Sequence, residues 1–69
     1  MSELLDKLDE SIKMVLNECD GQEMPNVCAL RSTPEGVESI IVMVRKRVIQ
    51  QRFGILEALR DIEAEFTEI

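Results

Sequence analysis

The chain has 69 residues, 45% of them apolar, and a formal net charge of −6 at neutral pH. That length allows one domain at most, over 1–69, and it buries only about 60% of the surface an unfolded chain exposes, so one core leaves little margin. With no histidine, two cysteines and three isolated glycines, the sequence lacks the parts of a histidine-based catalytic site, a clustered zinc site and a glycine-rich phosphate loop.

The N-terminal residues MSELLDKLDE hold no basic leader and no unbroken apolar run. No stretch of the chain approaches the roughly 18 apolar residues of a membrane span. A cytoplasmic address without membrane contact is the expectation. The first predicted helix covers Ser2–Glu18. Leu5, Leu8, Ile12, Val15 and Cys19 recur at alternating three- and four-residue steps, and Leu4 and Leu16 widen the stripe. Ser2 suits the N-cap, and Glu3 in the first turn suits the helix dipole. Glu3 with Lys7 and Asp9 with Lys13 make i,i+4 pairs of favourable polarity. The helix is expected to stop near Asp20-Gly21, with Gly21 as a left-handed cap.

Residues 20–33, DGQEMPNVCALRST, form the connection. Helix–helix links usually take about 2–8 residues, so this one is long. Val27, Cys28, Ala29 and Leu30 are too apolar for a solvated loop and are expected to tuck against the helices, as one turn started by Pro25. Cys19 and Cys28 could bridge. Two buried reduced thiols are the favoured reading, because two cysteines are too few for a disulfide scaffold. A calcium loop around Gly21 fails, since Leu16 and Val27 would occupy positions that need oxygen ligands.

The second predicted helix opens at Ser32-Thr33-Pro34-Glu35. Either Ser32 caps with Glu35 completing a capping box, or Thr33 caps with Pro34 in the first helical position. Val37, Ile40, Ile41, Val44 and Val48 then line one face. The run SIIVMV is rich in β-branched residues, so a strand competes. The start signal and the continuing period favour helix. The third predicted helix is Ile55–Phe66, with Ile55, Leu59, Ile62 and Phe66 as its stripe and Ala58 beside it. Glu57, Arg60, Asp61, Glu63 and Glu65 fall elsewhere, and carboxylates such as Asp61 and Glu65 are expected to be solvated. Gly54 marks either a hairpin turn, the favoured reading, or a glycine inside one long helix. The predicted architecture is an all-α three-helix unit: helix, long apolar connection, helical hairpin.

Charge divides the chain into a basic middle between acidic arms. Residues 1–30 hold seven acids and two bases, residues 31–53 two acids and five bases, and residues 54–69 five acids and one base. Arg45, Lys46, Arg47 and Arg52 are the candidate contacts for nucleic-acid phosphates. At about 100° per residue, however, Arg45 and Arg47 fall on opposite flanks of the second helix, with Lys46 behind. Basic residues near a helix C-terminus also suit its dipole without any ligand.

The apolar pattern points elsewhere. Val42 and Ile49 lie to one side of the main stripe of the second helix and Met43 to the other, while Met14 and Leu56 point off theirs. Several apolar residues around one helix indicate a helix covered on more than one side. The expectation is a small acidic protein–protein interaction module, such as an adaptor, chaperone-like factor or regulatory subunit. It is expected to self-associate, most simply as a homodimer, through Ile41, Val42, Val44, Val48 and Ile49 and the adjoining core. Another protein is the second candidate partner. The alternative is a nucleic-acid-associated regulator using the four basic residues. A third reading, an acidic inhibitor, would use Asp6, Asp9 and Glu10. No enzymatic activity, metal or cofactor is expected.

Overall fold

A computed structural model describes residues 2–67, without the side chains of Ser2 and Thr67. The expected N-cap role of Ser2 therefore lies outside the described residues. The fold is all-helical: α1 (Ser2–Asn17), α2 (Pro25–Leu30), α3 (Pro34–Gln50) and α4 (Ile55–Thr67). The three predicted helices are α1, α3 and α4. The β-branched run lies wholly within α3. The long connection carries the fourth helix, the short α2, started by Pro25 as the sequence suggested.

Ile12 and Leu16 from α1, Ile40, Ile41 and Val44 from α3, and Ala58, Leu59 and Ile62 from α4 form the core, closed by Val27 of α2 and by Met24. Leu8, Val15, Cys28, Leu30 and Val37 are half-buried against it. Leu4 and Leu5 are exposed, so the packed part of the α1 stripe begins at Leu8. The Cα radius of gyration is 11.4 Å, close to the ~11 Å of a compact chain this long.

The helix ends follow from charges and turns rather than from glycine. Gly21 was expected to cap α1 in the left-handed region, but no described glycine has a positive φ. Instead the Arg31 guanidinium reaches back and donates to the carbonyls of Leu16 and Asn17 at 2.7 and 3.1 Å. A cation on these free carbonyls also opposes the negative end of the dipole. Thr33 caps α3: its hydroxyl accepts from the Gly36 N–H at 3.0 Å, with Pro34 in the first turn. Ser32 instead donates to the Ala29 carbonyl at 2.7 Å, which decides between the two predicted starts.

Gly36 is buried where α2 hands over to α3. A Cβ there would stand 1.8 Å from the Leu30 carbonyl oxygen, so only glycine permits this approach. α3 and α4 are separate helices, as the hairpin reading expected. The left-handed residue between them is Arg52, with φ of 59°, not Gly54. Gly54 contributes its carbonyl, which accepts from the Ala58 N–H at 2.9 Å and opens α4.

Two further expectations are corrected. The sequence favours reduced thiols at Cys19 and Cys28, yet the two are joined in a disulfide, with Cα atoms 5.8 Å apart, within the ordinary range for a bridge. A turn at Asp20 makes this approach possible. Its carboxylate accepts from the Gln22 N–H at 2.8 Å, and its carbonyl accepts from Glu23 and Met24 at 3.1 and 2.8 Å. The chain thus reverses between the cysteines.

The second correction concerns Glu63, which the periodicity places off the apolar face of its helix and which is only 7% exposed. The residue preceding α2 is Met24, which has no side-chain acceptor to cap a helix. Glu63 supplies one from α4. One carboxylate oxygen accepts from the backbone N–H groups of Asn26 and Val27 at 3.0 and 2.9 Å, and the other from the Asn26 amide at 2.8 Å. Charge and geometry both suit the free amides of a helix N-terminus.

Candidate interaction surface

α3 packs against α1, α2 and α4, and α4 likewise touches the other three helices. The inner side of α3 belongs to the core. Of the five residues expected at an interface, Ile41 and Val44 are buried within the chain, and Val48 is half-buried against the core. Val42 and Ile49 are 62% and 58% exposed. Met14 and Leu56, also expected off their stripes, are exposed, while Met43 is half-buried.

The four candidate phosphate contacts do not form one patch. On one flank of α3, Arg45 makes a two-pronged pair with Asp9 of α1, the Nε–Oδ1 contact at 2.6 Å. On the other flank, Arg47 binds Asp61 of α4 at 2.6 Å, pairs with Glu65 and donates to the Met43 carbonyl at 3.4 Å. The Arg47 side chain is only 11% exposed. The hydrogen bond to Asp9 raises the Arg45 pKa above the usual arginine value despite partial desolvation. The bonds to Asp61 and then Glu65 do the same for Arg47. Both guanidiniums are thus committed to carboxylates of neighbouring helices. Asp61 and Glu65 are solvent-accessible as expected, and both also pair with Arg47. Asp9 is likewise engaged, which leaves only Asp6 and Glu10 of the acidic-inhibitor set exposed. Lys46 and Arg52 are exposed and make no ion pair among the described residues.

An open groove runs along the outer side of α3. One section, of about 640 Å³, is lined by Glu35, Glu38, Ser39, Val42 and Met43. The next, of about 460 Å³, continues past the same Val42 and Met43 to Lys46, Arg47 and Gln51, with Glu65 of α4. The groove is acidic toward the start of α3, apolar in the middle and basic toward its end. In the sequence, Glu35 stands out only as a capping candidate and Glu38 only in the charge balance. Their spacing from Val42, Lys46 and Ile49, which follow one another at four and three residues, is the signal that puts all five on one helical face.

No group of three or more Cys, Asp or Glu able to hold a metal occurs among the described residues, and no helix among them is long and apolar enough to cross a membrane. No protein family, curated protein or solved structure matches this chain.

Proposed function

We propose that this chain is a small acidic helical interaction module that self-associates as a two-fold dimer through the outer face of α3, and that it serves as an adaptor or regulatory subunit. The exposure of Val42, which lines an open groove on α3, and of Ile49 on the same helical face carries the reading. Burying a large apolar side chain stabilises by about 1.5–3 kcal/mol, which is substantial beside the roughly 5–15 kcal/mol of a whole domain. The pairing of Arg45 and Arg47 with carboxylates favours this reading over nucleic-acid binding, because it withdraws two of the four candidate cations. On compartment, the disulfide favours an oxidising one over the cytoplasmic address drawn from the N-terminal residues.

The test is solution mass by light scattering and sedimentation across a concentration series. A dimer is expected for the native chain at high micromolar concentration, with Val42→Asp and Ile49→Asp shifting it to monomer. A strict monomer throughout overturns the reading.

A further inference from the structure

We infer that the two copies bring their α3 helices together antiparallel, with Val42 near the two-fold axis and Glu35 of each copy facing the partner's Lys46. This rests on the self-association proposed above and specifies its geometry.

The occupant is set by charge. The outer side of α3 carries Glu35 and Glu38 in its first two turns and Lys46 beyond its middle. A parallel copy would set acid against acid and base against base. Like charges directly opposed are destabilising, and the aligned helix dipoles would add to the repulsion. An antiparallel copy sets the acidic end of each helix against the basic end of the other. An α3 of 17 residues offers about 25 Å of length for this.

The flanks select which residues meet. In an antiparallel pair related by a two-fold axis, equivalent flanks of the two helices face each other. At about 100° per residue, Glu35 and Lys46 both fall on the Met43 side of Val42, within some 40° of it, whereas Glu38 and Arg45 fall on the other side. Glu35 and Lys46 therefore share a flank, and each lines the groove that Val42 and Met43 floor. Centring the axis near Val42 brings the Glu35–Lys46 contact into being twice, while Arg45 on the opposite flank stays with Asp9 of its own chain. Glu35 and Lys46 are exposed, and neither makes an ion pair among the described residues. Both are free to serve a second copy. Sliding the axis toward Ile49 would instead bring the two Lys46 side chains together.

The experiment uses Glu35→Lys and Lys46→Glu in the full chain, each checked for native helicity by circular dichroism. Each variant alone turns both symmetry-related contacts repulsive. Its self-association is expected to weaken about tenfold or more. In an equal mixture, the Glu35→Lys chain meets the Lys46→Glu chain with both contacts attractive, so dimer mass is expected to return. Variants that dimerise like the native chain, or a mixture that stays monomeric, overturn the antiparallel register. If Val42→Asp still abolishes the dimer in that case, self-association through α3 stands and only its geometry falls. A native chain that is monomeric removes both, as it would if the groove takes a helix of a different protein.

Discussion

The two sides of α3 differ in how completely the chain itself uses them. Inward, Ile40 and Val44 are fully buried and Ile41 nearly so. The flanks are closed by Arg45 on Asp9 and Arg47 on Asp61 and Glu65. Outward, Glu35, Val42, Lys46 and Ile49 are all exposed. One helix of β-branched and basic residues thus completes a small core on one side and leaves apolar and charged groups unmatched on the other. The residue content of α3, taken as a whole, is blind to that difference, which resides in which residues share a face.

The contrast breaks most clearly in the core. Ile40→Ala removes side-chain volume from a site with no exposure and is expected to lower the unfolding free energy by about 4 kcal/mol. Urea titration monitored by circular dichroism reads it directly, and an unchanged midpoint would remove the inward side of α3 from the core. Next comes Glu63→Ala, expected at about 3 kcal/mol, because it strips the acceptor from two backbone N–H groups, that of Val27 being buried. Faster hydrogen exchange at the Asn26 and Val27 amides is the specific readout. Glu63→Gln keeps an oxygen acceptor but loses the charge, so it should fall between the two proteins.

Replacing Cys19 and Cys28 with serine ranks third. The bridge spans nine positions, and closing so short a loop is worth about 2.5–3 kcal/mol in the chain-entropy account. Thermal melts with and without a thiol reductant check it: the native chain should lose stability under reduction and the double serine variant should not.

These sites also mark where the sequence stopped being informative. The helices were legible because their causes are local. Thr33-Pro34 starts α3 with a cap and a fixed φ, Pro25 starts α2, and Ile55, Leu59 and Ile62 set the period of α4. The disulfide was not legible, because nine residues of separation say nothing until the Asp20 turn reverses the chain. Glu63 was hidden for a related reason. It lies about 40° from Leu59 on the helix, at the margin of the stripe, and its role depends on a helix start brought to it from the connection. Met24 ahead of Pro25 leaves the helix start without a local side-chain cap, a need that water meets equally well. On the surface, the sequence identified Val42 and Ile49 as exposed candidates. It placed Arg45 and Arg47 on opposite flanks of their helix but not against their partners in α1 and α4, which lie 36, 14 and 18 positions away.

Arg52→Gly is expected to run the other way. Its φ of 59° lies in the region where a Cβ costs about 1–2 kcal/mol. Glycine removes that cost but adds freedom to the unfolded chain. A net gain of roughly 0.5–1 kcal/mol should appear as a higher melting midpoint. If stability falls instead, the Arg52 side chain makes contacts that outweigh its backbone strain.

The smallest expected effect separates the two sides of α3 most sharply. Val42→Ala should change the unfolding free energy by no more than about 0.5 kcal/mol when measured at low micromolar protein, because the side chain is 62% exposed and leaves no cavity. At high protein concentration the same substitution should matter, since any stabilisation drawn from a second copy grows with concentration by mass action. The native melting midpoint should therefore rise with concentration while that of Val42→Ala rises less. Ile40→Ala should depress the midpoint equally at every concentration. A Val42→Ala variant destabilised even when dilute would place Val42 in the chain's own core and erase the distinction between the two sides.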